Sequence, residues 1–147
     1  LFRQVLVSTD TGRRYPFLDV PEVGDPIPGA GPLSGIVAGL GAARHERCLF
    51  VACDIPDLDF DLAEDMVRAA ATKDAVVPRY PDGRIEPLYA VYTRRIAPVI
   101  GDALAAGVRR IRDIYPHCRV GYIDLERPIE NLNTRDDLAV YRGIATS

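Results

Sequence analysis

The apolar residues of this chain fall in short runs, separated by helical patterns and turn signals. Arg3 to Ser8 (RQVLVS) reads as a short strand. Thr9 to Ala30 is rich in Gly, Pro and Asp and reads mostly as loop, with a short strand around Phe17 to Val20. Ser34 to Ala43 reads as a helix despite three internal glycines. Arg47 to Cys53 has no polar alternation, as expected of a strand covered on both faces. Leu62 to Ala71 follows as a helix, with Asp59 or Asp61 as its N-cap. Ala75 to Pro78 is a short strand. A Pro-Asp-Gly turn within Tyr80 to Arg84 sends the chain back along Glu86 to Tyr92, where Pro87 demands an edge or the first position of a strand. Arg94 to Ala106 reads as a helix interrupted near Pro98, and Arg110 to Tyr115 as a shorter one. Val120 to Asp124 is a strand. Thr134 to Tyr141 closes the pattern as a helix, with a capping box at Thr134 and Asp137.

Strands alternating with helices predict an α/β fold: a doubly wound, mostly parallel mixed sheet with helices on both faces. The hairpin-like return at Tyr80 to Tyr92 is what makes the sheet mixed. No repeat, low-complexity tract or linker divides the chain, so residues 1–147 read as one domain.

Composition narrows the function. A hydrophobic content of 48% over 147 residues supports an ordinary core. The net charge of −3 argues against a general nucleic-acid binder, because a phosphate backbone demands clustered Lys and Arg. Basic residues gather at Arg109, Arg110 and Arg112, which suit either a solvated helix face or a single anionic ligand. Cys48, Cys53 and Cys118 form no C-x-x-C pair, so a structural zinc site is not indicated. Cys48 and Cys53 read as core residues and suggest a reducing compartment. No apolar run is long enough for a membrane span and no signal peptide is visible, so the expected location is the cytoplasm. His45 and His117 stand apart from any Cys or Asp cluster and are expected on the surface.

Four short segments carry candidate chemistry. In Cys53-Asp54-Ile55-Pro56 an apolar strand ends in a carboxylate. The carboxyl ends of strands are where open sheets bind ligands, and Mg²⁺ favours one or two carboxylates plus phosphate oxygens. Asp54 is thus a candidate metal ligand; a simple turn cap is the alternative. Gly31-Pro32-Leu33-Ser34-Gly35 opens a helix whose free N–H groups suit an anion, or else forms only a tight loop-to-helix junction. Asp25 precedes a proline; it is either a turn residue or an acceptor for a guanine's N1–H and amino group. Asn131 and Asn133, two apart in an extended segment, point the same way and could reach one ligand. A turn into the capped helix explains Asn133 but not Asn131.

In this order, GPLSGI at 31–36, CDIP at 53–56, EPLYAVY at 86–92, GVRRIRD at 107–113 and NLNTRDDL at 131–138 resemble the molybdenum cofactor guanylyltransferase family. The resemblance runs over nearly the whole chain. It implies Mg²⁺-dependent transfer of GMP from GTP to molybdopterin, with release of pyrophosphate. GTP and molybdopterin would be the partners, and proteins that mature molybdoenzymes a further transient contact. Asp54 would match the metal-binding aspartate and Asp25 the guanine-side aspartate. Gly31, Pro32 and Gly35 would match the loop around the nucleotide, and Asn131 and Asn133 the pterin-side asparagines. Arg110 is a candidate for the pterin phosphate by charge. Ser8 falls where several members carry an asparagine against the nucleotide.

One departure stands out. Members of that family open with a strand and a Gly-rich L-A-G-G-x-S-x-R-M-G loop that wraps the triphosphate, followed by a lysine. Nothing between Leu1 and Ser8 substitutes for it. A preceding strand-loop-helix segment of roughly 40 residues is expected, its strand at the centre of the sheet. The rival functions are a molybdopterin cytidylyltransferase, a sugar-nucleotide pyrophosphorylase, a non-catalytic nucleotide- or pterin-binding domain, and a scaffold subunit that receives its phosphate loop from another chain.

Overall fold

The computed structural model describes residues 2–143. The strands are β1 (Val7–Thr9), β2 (Glu22–Gly24), β3 (Arg47–Val51), β4 (Ala75–Arg79), β5 (Tyr89–Thr93) and β6 (Val120–Asp124). The helices are α1 (Pro32–Ala42), α2 (Phe60–Ala69), α3 (Ala97–Ala105) and α4 (Arg135–Tyr141), with 3₁₀ turns at Arg94–Ile96 and Ile111–His117.

Four strands form a mixed sheet in the order β3-β5-β4-β6. β5 runs against both neighbours, while β4 and β6 are parallel. The three strands other than β5 therefore share one direction. β1 and β2 pair in parallel as a separate two-stranded sheet.

The period of two along the central strands sorts the core into two layers. On one face, Ala75, Val77, Ala90 and Tyr92 pack against Leu33, Ile36 and Leu40 of α1 and Ile100 and Leu104 of α3. On the other face, Val76, Tyr89 and Val91 meet Met66 of α2, Ala70 and Ile55. Helices thus cover both faces, as the pattern of the sequence predicts. Tyr92 ends in a buried bond to the Tyr115 hydroxyl at 2.9 Å and donates to the Pro87 carbonyl at 2.9 Å. Burial pushes both phenols well above the usual tyrosine range.

Several boundaries differ from the sequence expectation for local reasons. Pro87 lies outside β5, which is an interior strand and not an edge. Pro98 sits in the first turn of α3, where its missing N–H has no partner to lose, and it starts that helix without kinking it. Asp59, not Asp61, caps α2, its Oδ1 accepting the Leu62 N–H at 3.0 Å. The short strand expected at Phe17 to Val20 forms instead at Glu22–Gly24, and Phe17 is exposed. The exposed Cys53 is no core residue. β3 is only half-buried although its sequence is apolar throughout its centre, and the strand expected over Arg3 to Ser8 forms only over Val7–Thr9.

Candidate functional site

The expected nucleotide-side residues do converge. β1 and β2 bring Ser8 beside Asp25, with the Ser8 hydroxyl 3.4 Å from the Asp25 carboxylate. Asp25 is held by its own N–H, which donates to the Thr9 carbonyl at 3.0 Å. Both side chains lie over Gly35, where a Cβ would come within 3.0 Å of the Ser8 hydroxyl and 3.5 Å of the Asp25 carboxylate. Only glycine lets the helix approach this pair so closely. Gly31, at φ +74, turns the chain into α1, and Pro32 opens the first turn. No side chain caps this helix, so its N-terminal dipole faces the same groove as Ser8, Asp25 and Gly35.

Asp54 follows β3 at the end of that groove, which reaches Cys53. Its Oδ1 is buried and has no hydrogen-bond partner. An orphaned buried carboxylate oxygen is costly unless something outside the chain pairs with it. Among the described residues, no three His, Cys, Asp or Glu side chains gather into a cage for a cation. A single carboxylate fits Mg²⁺, which takes one or two carboxylates and fills its other positions with water and phosphate oxygens. The turn-cap alternative finds no support at Oδ1, which caps no backbone N–H.

The asparagine segment is fastened to this point. The Leu132 N–H donates to the Asp54 carbonyl at 2.7 Å, so Asn131 and Asn133 flank a residue bonded to the carboxylate's own backbone. Both asparagine side chains are exposed. The capping box forms as the sequence predicts: Asp137 accepts the Thr134 and Asn133 N–H groups, and these bonds hold its carboxyl below the usual carboxylate range. A second clasp had no signal in the sequence. The Tyr141 hydroxyl of α4 donates to Asp57 at 2.8 Å across 84 residues.

Arg110 stands elsewhere. With Pro32, Glu86, Pro87, Arg109 and Arg112 it lines a separate recess of about 470 Å³ on the far side of Pro32. The Arg109 guanidinium is tied to the Leu104 and Val108 carbonyls, whereas those of Arg110 and Arg112 have no hydrogen bond among the described residues. The structure thus brings Ser8, Asp25, Gly31, Pro32 and Gly35 together, joins Asp54 to Asn131 and Asn133, and sets Arg110 in the neighbouring recess.

A mixed α/β sheet with a carboxylate at a strand exit and an uncapped helix N-terminus suits the handling of a nucleotide's phosphates. Residues 1–120 match the MobA-like NTP transferase domain, and the chain belongs to that family. A protein of Pelotomaculum thermopropionicum described as a probable molybdenum cofactor guanylyltransferase is 35% identical, over 99% of this chain and 75% of its own length. A molybdenum cofactor guanylyltransferase of Pseudomonas putida is 39% identical over 56% of this chain and 43% of its own. Among solved structures, the molybdopterin-guanine dinucleotide biosynthesis protein A of Archaeoglobus fulgidus superposes with a TM-score of 0.79 at 23% identity. It covers 95% of this chain and 77% of that one. The 2-C-methyl-D-erythritol 4-phosphate cytidylyltransferase of Thermus thermophilus shares the fold at a TM-score of 0.72 and 18% identity, over 97% and 82% of the two chains. No helix among the described residues is long and apolar enough to cross a membrane.

Proposed function

We propose that this chain transfers GMP from GTP to molybdopterin, working in the cytoplasm with Mg²⁺. The observation that carries the reading is the buried, unpartnered Oδ1 of Asp54 at the exit of β3, bonded through its backbone to the asparagine segment. The names of the relatives supply the acceptor and the base.

A phosphate oxygen of the pterin attacks the α-phosphorus of GTP. The new P–O bond forms as the bond to the β-phosphate breaks, and pyrophosphate leaves. Such transfers need little covalent work from the protein; positioning and charge stabilisation carry the rate. Mg²⁺, when bound, supplies Lewis-acid stabilisation of the phosphate charge. Asp54 would hold it. Asp25 would accept the guanine N1–H and amino group, a pairing that the base of CTP cannot offer. Ser8 would orient Asp25. Gly31, Pro32 and Gly35 would let the backbone and the α1 dipole approach the nucleotide. Asn131 and Asn133 would hold the pterin side. Arg110 would meet the pterin phosphate from the recess beside Pro32.

The test is a transfer assay on the natural polypeptide with Mg²⁺, molybdopterin, and GTP, CTP or ATP in turn, the product identified by mass. Guanine dinucleotide and pyrophosphate in equal amounts are expected. Equal yields from GTP and CTP would move the protein to a cytidylyl reading. Nucleotide binding without pyrophosphate release would make it a binding domain.

A further inference from the structure

The recess beside Pro32 carries charges of both signs that do not meet. The Glu86 carboxylate and the Arg110 and Arg112 guanidiniums line it, around the apolar surfaces of Pro32, Pro87 and Ile111. None of the three charged groups forms an ion pair among the described residues. Arg84, two residues from Glu86 in the chain, is engaged elsewhere. Its Nε donates to Asp82 at 2.7 Å, and its guanidinium stacks 4.9 Å over the Tyr80 ring. A half-buried carboxylate held apart from two unbonded arginines, across about 470 Å³, is complementary to a ligand that offers donors and acceptors together.

Glu86 is held in place from behind. Its N–H donates to the Pro78 carbonyl at 3.0 Å, and the Tyr80 hydroxyl donates to its Oε2 at 3.3 Å. Burial, and then the Glu86 charge beside it, push the Tyr80 phenol up, so the phenol keeps its proton and remains the donor. The Oε1 atom has no partner among the described residues. A carboxylate accepts at about four lone-pair positions, so most of its capacity is left for a ligand. The recess adjoins the nucleotide side of the site. Pro32 lines both cavities, and the Arg109 carbonyl lies 3.9 Å from where a Cβ on Gly31 would stand.

The lining chooses between ligand classes. A bare polyanion such as pyrophosphate would satisfy the arginines and be repelled by Glu86. A cation would meet the reverse conflict. A pterin monophosphate matches both signs. Its phosphate suits the two guanidiniums. One edge of its ring presents an N3–H beside a 2-amino group, a donor pair that fits the two oxygens of a carboxylate. The faces of the flat ring suit the apolar surfaces of the prolines and Ile111. Guanine bears the same amino-oxo edge. The proposed reaction thus joins two molecules with one recognition edge, and the chain offers two carboxylates, Asp25 and Glu86, in cavities that meet at Pro32.

We propose that Glu86 is the residue that selects the acceptor: its carboxylate accepts the N3–H and 2-amino group of the pterin ring, while Arg110 and Arg112 hold the pterin phosphate. The inference rests on molybdopterin being the acceptor, as proposed above. Glu86 touches the substrate far from the bonds that form and break, so it sets specificity and takes no part in the transfer itself.

The test is equilibrium binding of two fluorescent probes to the natural polypeptide and to its Glu86→Gln variant, whose amide oxygen can still accept from Tyr80. One probe is 6-hydroxymethylpterin phosphate. The other is its lumazine counterpart, with an oxo group in place of the 2-amino group. Wild-type protein should bind the pterin probe at least about tenfold more tightly than the lumazine probe, because a carboxylate that loses a donor is left unpaired. Glu86→Gln should lose most of that preference and keep its affinity for GTP. Arg112→Ala should weaken both probes alike. Equal binding of the two probes by wild-type protein overturns the proposal, as does binding of neither or an unchanged preference in Glu86→Gln. Displacement of the pterin probe by GTP overturns it too and assigns the recess to guanine. A pterin preference that depends on Glu86, without GMP transfer, would count against the reaction and keep the pterin site. Normal transfer, with the preference unchanged in Glu86→Gln, would keep the reaction and remove the role of Glu86.

Discussion

The Leu132 N–H donates to the Asp54 carbonyl at 2.7 Å, linking the loop before α4 to the exit of β3. The two residues are far apart in sequence, and this bond sets the asparagine pair beside the only described buried side-chain oxygen that lacks a partner. It makes two sequence motifs into one site.

Leu132→Pro removes that N–H and no side-chain contact of Asp54. Small misplacements of reacting groups cost large factors in rate. Transfer should fall on the order of ten- to a hundredfold, chiefly through KM for the pterin substrate. Unchanged steady-state constants for both substrates would dissociate the asparagine segment from the site.

Asp25→Asn replaces one acceptor oxygen by an amide group that repels the guanine donors. Hydrogen bonds to a charged group contribute about 1.5–3 kcal/mol, so the ratio of kcat/KM for GTP over CTP should drop roughly ten- to a hundredfold. A variant that still prefers GTP to the original degree would show that Asp25 is only the turn residue its proline neighbour suggests.

Much of the fold was readable in the chain. β3, β4 and β6 fall close to where their apolar runs place them, and Thr134 and Asp137 form the capping box that their spacing requires. The failures have physical causes. The run Glu86 to Tyr92 places Pro87 in a strand, but Pro87 belongs to the turn before β5, and β5 is an interior strand because both its neighbours pair with it. The strand expected over Arg3 to Ser8 forms only at Val7–Thr9, where β2 supplies its hydrogen bonds. Of the candidate site, Asp54 at a strand exit, Asp25 before its proline and Gly35 in its helix start were legible as residue types, whereas Ser8 entered only through the family resemblance and its meeting with Asp25 over Gly35 had no signal in the sequence. The Leu132 and Tyr141 clasps were not, since a backbone N–H and an exposed tyrosine carry no pattern that points to a partner tens of residues away.

Ile100 of α3 is fully buried between α1 and the sheet. Ile100→Ala removes apolar contacts and leaves a cavity, at a cost of about 2–5 kcal/mol. Denaturant unfolding should show the loss at an unchanged slope. A change below about 1 kcal/mol would mean that this layer repacks more freely than its burial implies.

Asp74 joins β4 to β6. The Arg119 guanidinium and backbone N–H, with Arg95 beside them, lower its carboxyl to about 2. A carboxyl whose pKa is depressed by folding stabilises the folded state above the unfolded value near 4, and that contribution fades as pH falls towards 2. Wild-type protein should therefore lose stability between about pH 4 and pH 2 more steeply than Asp74→Asn. Parallel stability curves for the two proteins across that interval would remove Asp74 from the acid response.

The most direct measurement is Mg²⁺-dependent GMP transfer from GTP to molybdopterin by the natural polypeptide and by its Asp54→Asn variant, with unfolding followed on both. If the orphaned oxygen holds the cation, Asp54→Asn should cut kcat on the order of a hundredfold or more while the unfolding midpoint barely moves. Transfer by Asp54→Asn at the wild-type rate and with the same Mg²⁺ dependence would contradict the account.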